Sequence, residues 1–367
     1  MHLSQITPSL FSSLGLSDTS DQIQCGPSPV GRELLFLVDG LGADAIAKYA
    51  TYIPTLSSLI RHGSVKTSFP STTATSLATL TTGVNPGEHG MLGYTVQVPR
   101  SGGRILNSLK WDERVDPFIW QPVATLFERA VTENINVTHV AAKRYEDTGF
   151  TRAVFRGAKY RGANAHADLI TETIAALKET PAFVYLYVND LDVAGHSDGV
   201  GSDKWLAALS GIDQLVATLL QKLPRQTRLW LTADHGMINV GEKIVIGQGN
   251  NLAEDIATIA GEPRARHLYL SEGASPTRIS EVASRWEEFL GKQASIYTRD
   301  QAIAAELFGT SVSADAADRM GDVIVIAHGN LILIEADREK QEGSMVGHHG
   351  GASDIESYVP LLRAVIN

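Results

Sequence analysis

Four short apolar runs constrain the fold of this chain most strongly. They are continuous and rich in β-branched and aromatic residues, and they lie at 33–38 (ELLFLV), 183–188 (FVYLYV), 229–232 (LWLT) and 323–327 (VIVIA). Such runs are typical of strands buried on both faces of a parallel sheet. Helical patterns lie between them, for example at 165–178 and 203–222. The sequence therefore predicts an α/β fold, with a mostly parallel central sheet and helices on both faces.

The composition is that of a globular protein and excludes several kinds of site. The 367 residues are 43% hydrophobic and 20% charged, which is enough to build a large core. The formal net charge of −10 argues against binding along a nucleic-acid polymer, because such binding needs a basic surface. Cys25 is the only cysteine, so an internal disulfide and a Cys-rich zinc site are excluded. Any metal ion must be held by histidines and carboxylates.

The N-terminal sequence MHLSQITP lacks the cationic start and apolar stretch of a signal peptide. No later segment offers about 18 uncharged apolar residues in a row, as a membrane-spanning helix would require. We therefore expect a cytoplasmic location and no membrane partner. The sequence is silent on oligomeric state.

Acidic residues follow three of the predicted strands. Asp39, Asp192 and Asp234 each lie at or just past the C-terminal end of an apolar run. Open α/β sheets bind their ligands at this edge. A single Asp at the end of a strand is usually a helix cap or a turn residue, but three at three strand ends indicate a common site.

Histidines accompany these acids. His196 follows Asp192 by four residues, so one helical turn or one loop would bring both side chains to the same ion. His235 follows Asp234 directly, and His348 and His349 lie near the C-terminus in a glycine-rich segment that also suits a flexible polar loop. Carboxylate oxygen and imidazole nitrogen are ligands of zinc, and manganese and iron accept them too.

A hydroxyl-rich segment, SFPSTTATS at 68–76, precedes a helix-compatible run that ends at Gly83. Thr73 would lie at the N-terminus of this helix, where free N–H groups and the helix dipole favour an anion. A nearby metal ion would lower the pKa of its hydroxyl, so that Thr73 attacks as an alkoxide. In isolation these hydroxyls are typical of N-caps and turns. Together with the acids and histidines, they indicate two-metal phosphoryl transfer.

The order of these motifs resembles the alkaline phosphatase superfamily, and within it the nucleotide pyrophosphatase/phosphodiesterase branch. The motifs are Asp39, the segment from Phe69 to Gly83, Pro86-Gly87-Glu88-His89-Gly90, Asp192 with His196, Asp234-His235-Gly236 and Gly347-His348-His349-Gly350. They cover most of the chain outside 240–320. The resemblance implies an alkaline-phosphatase-like catalytic core at 1–239 and 321–367, interrupted by a small inserted α+β cap at 240–320.

The resemblance also implies two zinc ions around Thr73. The expected ligand sets are Asp39, Thr73, Asp234 and His235 for one ion, and Asp192, His196 and His349 for the other. Thr73 is preferred to Thr72 because it precedes Gly83 by the family's interval of ten residues, and His349 is preferred to His348 because the family's histidine immediately precedes glycine. The implied reaction is hydrolysis of a phosphate diester or pyrophosphate bond in a small, nucleotide-like molecule, through a phosphothreonine intermediate.

One position departs from this branch. Three residues after the nucleophile the resemblance predicts an Asn that holds a phosphate oxygen. This chain has Ser76, whose hydroxyl donates one hydrogen bond from a shorter reach and is a candidate substrate contact. The monoesterase branch uses an Arg for this task. The candidates lie in a basic tract between 143 and 161, among which we select Arg152 and Arg156. Phosphomonoesterase, phosphonate hydrolase and non-catalytic zinc-binding protein therefore remain alternatives.

The predicted cap contains a strand at 267–270, an amphipathic helix at 276–290 and a helical stretch at 300–307. A cap of this kind selects substrates by closing over the leaving group. Two of its aromatic residues, Trp286 and Tyr297, would either pack inside it or stack on a base, and packing is the favoured interpretation.

Overall fold

The structure is a computed structural model, and it describes residues 1–366. Its strands are β1 Arg32–Val38, β2 Ile60–Lys66, β3 Thr95–Gln97, β4 Ile105–Asn107, β5 Asn136–Ala141, β6 Lys159–Gly162, β7 Ala182–Val188, β8 Arg228–Thr232, β9 Ile238–Asn239, β10 Glu242–Ile246, β11 Ile256–Glu262, β12 Ala265–Leu270, β13 Ala294–Thr298, β14 Val323–Ala327, β15 Leu331–Glu335, β16 Gly347–His348 and β17 Tyr358–Val365.

Sixteen α-helices occur in the described residues. They are α1 Ile6–Ser13, α2 Ala43–Lys48, α3 Pro54–Ser58, α4 Thr73–Thr82, α5 Pro86–His89, α6 Pro117–Trp120, α7 Leu126–Thr132, α8 Gly149–Val154, α9 His166–Ala176, α10 Asp190–Asp198, α11 Asp203–Lys222, α12 Pro276–Leu290, α13 Arg299–Ala304, α14 Ala314–Arg319, α15 Glu339–Glu342 and α16 Asp354–Ser357. Within residues 1–366, no helix combines the length and the apolar character that crossing a membrane requires.

The central sheet has seven strands in the order β2-β17-β8-β1-β7-β5-β6. Strand β1 pairs in parallel with β7 and β8, and β5 continues the parallel pairing to β6. Among the strands of this sheet in residues 1–366, only β17 runs antiparallel to its neighbours, β8 and β2. Helices flank this sheet, and the side chains of β1 from Glu33 to Val38 are buried. The predicted α/β class with a mostly parallel sheet is confirmed.

The parallel pairing explains why distant acids meet. Val38 at the end of β1 lies opposite Val188 at the end of β7, and Leu37 lies opposite Thr232 at the end of β8. The residues that follow these three strand ends therefore leave the sheet at the same edge. Asp39 follows β1, α10 with Asp192 follows β7, and Asp234 follows β8.

A second sheet is antiparallel and has the order β11-β12-β14-β13, with α12 packed against it. The prediction that 323–327 belongs to the parallel sheet was wrong, because this segment is β14 and pairs with β12 and β13. Its apolar run has a different origin. Ile324 and Ile326 face the main core, whereas Val323 and Val325 face the core of the second sheet, so both faces of the strand are buried.

The cap boundaries at 240 and 320 remain a proposal, and strand pairing favours a later second boundary. Strand β14 belongs to the second sheet, and β15 pairs in parallel with β10. Part of the insert also contacts the core, since α14 packs against α5 and the Phe308 ring meets that of Phe69. We therefore propose that the insert extends to about residue 335.

The helix predictions agree closely with the structure. The patterns at 203–222 and 276–290 coincide with α11 and α12, while those at 165–178 and 300–307 form the shorter helices α9 and α13. Trp286 is fully buried, and its Nε1 donates a hydrogen bond to the Leu252 carbonyl at 3.0 Å. Tyr297 packs half-buried against the main core. Packing inside the insert is confirmed for Trp286, whereas Tyr297 packs against the main core instead.

Candidate active site

A buried cluster of Asp39, Asp234 and His235 lies at the sheet edge. The Nε2 atom of His235 is 3.3 Å from Asp39 Oδ1 and 3.5 Å from Asp234 Oδ2. One ligand atom from each residue falls within 4.8 Å of the others. Thr73 adjoins this cluster, with Oγ1 3.2 Å from His235 Nε2. The structure thus brings the four residues of one predicted ligand set together.

A second cluster contains Asp192, His196 and His349, and it is half-buried. The Oδ1 atom of Asp192 is 3.4 Å from His196 Nε2 and 3.8 Å from His349 Nε2. The two clusters are adjacent, because the rings of His349 and His235 stack with their centroids 3.6 Å apart. His348 lies outside the cluster, with its Nε2 directed at the Glu342 carbonyl at 3.1 Å.

Each of the three clustered histidines uses its Nδ1–H to donate to a backbone carbonyl. His235 donates to Gly236 at 3.0 Å, His196 to Gly347 at 2.8 Å and His349 to Ser71 at 3.0 Å. These bonds set the tautomer and the ring orientation, so Nε2 of each neutral ring carries the lone pair, and in His235 the Thr73 hydroxyl lies beside it. This pattern is typical of histidines that bind metal ions.

The carboxylates of the two clusters also offer oxygen atoms that have no hydrogen-bond partner within the residues that the structure describes. Asp39 Oδ1, Asp192 Oδ1 and Asp234 Oδ2 are buried and have no hydrogen-bond partner among residues 1–366. The second oxygen of Asp39 accepts a hydrogen bond from the Tyr187 hydroxyl. The other oxygen of Asp234 accepts from the backbone N–H of Gly40 at 3.2 Å and of His235 at 3.1 Å. Asp39 and Asp234 are therefore each oriented by the protein with one oxygen left over.

The electrostatics of the two clusters favour bound cations. Burial raises the pKa of Asp39 well above its usual range, and repulsion from Asp234 and Asp192 adds to the effect. Burial lowers the pKa of His349 well below its usual range, with repulsion from His235 and His196 acting in the same direction. A bound divalent cation offsets the repulsion among the carboxylates, and it binds the imidazoles in their neutral form. The donor set of carboxylate oxygens and Nε2 atoms fits two such ions.

Thr73 is the first residue of α4, as the sequence predicted. Thr72 precedes it in extended conformation as the N-cap residue, and its side chain makes no capping hydrogen bond. First-turn N–H groups have no acceptor within the helix, and with the helix dipole they favour an anion beside Thr73. Its side chain is only 8% exposed, so the hydroxyl is largely shielded from water.

A cavity of about 470 Å³ opens onto the second cluster and Thr73. Tyr94, Asn107, Lys110, Glu262 and Arg338 lie on its walls. A smaller cavity of about 110 Å³ also borders Thr73 and is lined partly by aromatic residues, including Tyr145, Phe155 and Tyr187. The larger cavity has the size of a small-molecule site.

The predicted phosphate-binding residues have other partners. Ser76 is buried, and its hydroxyl donates to the Asp234 carbonyl at 2.8 Å. Arg152 pairs with Glu113, and Arg156 binds Glu128 and the carbonyls of Gln121, Val123 and Ala153. None of Ser76, Arg152 and Arg156 lines either cavity as the described residues form it. Arg152 and Arg156 are therefore not brought into either cavity, and Ser76 contacts the site through the backbone carbonyl of Asp234.

Three residues that organise the site were not predicted from the sequence. The hydroxyl of Ser71 donates to the Gly351 carbonyl and accepts from the Gly350 N–H, which ties the Thr73 segment to the loop of His349. Tyr187 orients Asp39, and Glu262 reaches the cavity from the second sheet. Of the three, only Tyr187 could have been identified from the sequence, because it lies one residue before the end of a strand that precedes the predicted metal ligand Asp192.

Comparison with known proteins gives consistent matches. The family model described as type I phosphodiesterase / nucleotide pyrophosphatase matches residues 34–352. Ectonucleotide pyrophosphatase/phosphodiesterase family member 1 of Mus musculus is 25% identical over 241 residues, which cover 60% of this chain and 26% of that protein. The Homo sapiens protein is 25% identical over 239 residues, with 60% and 25% covered. The match spans about a quarter of the length of these relatives.

Solved structures share the fold. Murine ectonucleotide pyrophosphatase/phosphodiesterase 5 has a TM-score of 0.70 at 17% identity, with 90% of this chain and 87% of that chain covered. An inactive variant of the murine protein is known in complex with AMP. Phosphonoacetate hydrolase from Sinorhizobium meliloti 1021, in complex with phosphonoacetate, has a TM-score of 0.67 at 18% identity, with 92% and 90% covered.

Proposed function

The chain belongs to the type I phosphodiesterase/nucleotide pyrophosphatase family, and on that premise we propose that it hydrolyses phosphate diester or pyrophosphate bonds with two metal ions and Thr73. The family match over residues 34–352 confirms the resemblance inferred from the motifs. The observation that carries the proposal is the geometry at the sheet edge. Two adjacent clusters of carboxylates and imidazoles, with oriented free ligand atoms, flank a hydroxyl at a helix N-terminus.

The two metal ions are expected to occupy the two clusters. One ion would be held by Asp39, Asp234, His235 and Thr73, and the other by Asp192, His196 and His349. We propose zinc on the basis of the mixed oxygen and nitrogen ligands, with manganese or iron as alternatives. Such ions neutralise charge on phosphoryl oxygens and lower the pKa of a hydroxyl or a water molecule.

The proposed reaction consists of two displacements at phosphorus. In the first, Oγ1 of Thr73 forms a bond to phosphorus while the bond from phosphorus to the leaving oxygen breaks, and the leaving oxygen takes up a proton. The result is a phosphothreonine. In the second, water attacks phosphorus, the bond to Oγ1 breaks, and the hydroxyl of Thr73 is restored. The first-turn N–H groups of α4 stabilise negative charge on the phosphoryl oxygens during both steps.

The proposed substrates are small, nucleotide-like phosphoesters. The cavity of about 470 Å³ has room for such a molecule, and the murine relative of the same fold is known with AMP. The net charge of −10 disfavours a nucleic-acid polymer. The cytoplasmic location and the absence of a membrane partner stay predictions.

The test is hydrolysis of a matched pair of substrates, an aryl phosphate diester and the corresponding monoester, by the zinc-loaded protein. We expect a preference for the diester, and we expect Thr73→Ala to lower turnover about 10³-fold or more while both metal ions stay bound. Thr75→Ala is the matched control. Thr75 lies two residues along α4, and within residues 1–366 its buried hydroxyl has no hydrogen-bond partner.

Other outcomes would identify the alternatives. A preference for the monoester would indicate a phosphomonoesterase. Turnover of a phosphonate but of neither ester would indicate a phosphonate hydrolase. Phosphoester binding without turnover, unchanged in Thr73→Ala, would indicate a non-catalytic zinc-binding protein.

A further inference from the structure

Glu262 is a buried carboxyl that the second sheet brings into the active-site cavity. It is the last residue of β11, an edge strand of that sheet, and it is only 4% exposed. It lines the same cavity as Thr73, Asp192 and His349. A carboxyl group buried this deeply requires a hydrogen-bonding or charged partner, or a functional role.

The two carboxyl oxygens of Glu262 differ in their surroundings. Oε2 accepts a hydrogen bond from the backbone N–H of Tyr94 at 3.0 Å. Oε1 is buried and has no hydrogen-bond partner among the described residues 1–366. Two other buried glutamates near this cavity are paired, Glu356 with Arg264 and Glu342 with Arg266. The free oxygen of Glu262 therefore stands out as an unused polar group.

The turn after His349 is shaped to admit this carboxyl. Gly350 has a φ of +113°, and a Cβ added there would lie 2.4 Å from Glu262 Cγ and 3.0 Å from Oε1. Any side chain at this position would displace Glu262. The carboxyl is thus held closely between the Tyr94 N–H on one side and the Gly350 backbone on the other.

We propose that Glu262 contacts the bound substrate and donates a hydrogen bond from Oε1 to an oxygen of the phosphoester. The inference rests on the proposed function and supplies a phosphate contact that Ser76 does not make. A carboxyl in its acid form accepts with one oxygen and donates with the other. This matches the donor N–H of Tyr94 on one side and an anionic ligand in the cavity on the other.

In the metal-free protein the electrostatics favour the acid form of Glu262. Burial raises the pKa of Glu262 to about 8, against the effects of the Tyr94 N–H and of Arg266, and repulsion from Glu356 and Glu342 adds to the increase. An ionised carboxylate would repel an anionic phosphoester, whereas the neutral acid offers it a hydrogen.

Glutamine provides a sharp test, because its amide reproduces this pattern. In Glu262→Gln the amide oxygen accepts from Tyr94 and the NH₂ group donates into the cavity. We expect kcat/KM of the zinc-loaded variant for the aryl diester to stay within about threefold of wild type. Glu262→Ala lacks the donor, and we expect a loss of about 10- to 100-fold. Glu262→Asp withdraws the carboxyl by one methylene, is expected to lose activity similarly, and replaces the Ala variant if that variant fails to fold.

The control is Glu254→Gln, which removes an exposed carboxylate from the same insert and should leave kcat/KM unchanged. A loss in Glu262→Gln as large as that in Glu262→Ala would overturn the proposal, because it would make the carboxylate the working form. Full activity in both Glu262→Ala and Glu262→Asp would also overturn it.

Affinity for inorganic phosphate separates this inference from the proposed function. Titration of the zinc-loaded protein with phosphate needs no turnover. If the wild type hydrolyses no ester, the proposed function fails, yet weaker phosphate binding in Glu262→Ala and not in Glu262→Gln still supports the contact. Equal phosphate affinity in all variants, beside normal turnover and loss of activity in Thr73→Ala, would reject the Glu262 contact alone.

Discussion

The hydrogen bond from the Tyr187 hydroxyl to Asp39 is the contact whose removal is easiest to interpret. Both residues are buried, and the bond orients the carboxylate so that its other oxygen faces the cluster. Tyr187→Phe removes one oxygen atom and keeps the ring. A hydrogen bond to a charged group contributes about 1.5–3 kcal/mol, which corresponds to about 10- to 100-fold in affinity. We therefore expect one metal ion, at the buried cluster, to bind about 10- to 100-fold more weakly.

Competition with a chelator of known affinity measures the binding of both ions in this variant. The matched control is Tyr185→Phe, two residues earlier on β7, because the buried Tyr185 hydroxyl has no hydrogen-bond partner in the described part of the chain. The ion at the Asp192 cluster should bind with unchanged affinity in both variants. If Tyr187→Phe binds both ions within twofold of wild type, the reasoning about Asp39 is refuted.

Two further variants test the turn after His235 and a buried imidazole. A Cβ at position 236 would lie 1.9 Å from the Ile355 carbonyl oxygen, so Gly236→Ala should displace the turn and lower metal content and turnover more than about tenfold. Gly211→Ala, where a Cβ meets nothing within 4 Å, is the control, and full metal content in Gly236→Ala would contradict the argument. Burial lowers the pKa of His139 to about 3, so only the unfolded chain takes up this proton as the pH falls below about 6.5. The free energy of unfolding is therefore about 2 kcal/mol lower at pH 5 than above pH 6.5. His139→Phe should remove this part of the pH dependence, which urea unfolding of the metal-free protein measures. If the free energy of unfolding falls equally steeply with falling pH in the variant and in the wild type, the argument is wrong.

The metal-binding chemistry was predictable from sequence because it depends on residue type and on position relative to strands. Asp39 and Asp234 follow apolar runs that become neighbouring parallel strands, so the sheet itself brings them together. His196 follows Asp192 by one helical turn and shares its cluster. The choice between His348 and His349 came from the family resemblance, and the structure places His349 in the cluster.

The contacts that orient the ligands were not predictable in the same way. Ser71 joins a loop 280 residues further along the chain, and Ser76 binds a carbonyl 158 residues away. A hydroxyl has several possible partners, and its local sequence does not indicate which one it will bind. The guanidinium of Arg156 is likewise satisfied by three distant or local carbonyls rather than by the site.

The sequence by itself determined the fold class, the helices α11 and α12 and the residues capable of binding two metal ions, because periodicity and residue chemistry are local properties. The tertiary structure alone decided that β14 joins the second sheet, that the Ser76 hydroxyl binds the Asp234 carbonyl and that Glu262 reaches into the cavity. An apolar run records only that both faces of a strand are buried, and it does not identify the elements that cover them. Those partners are selected by the packing of the whole chain, which also leaves one oxygen of Glu262 free beside the site.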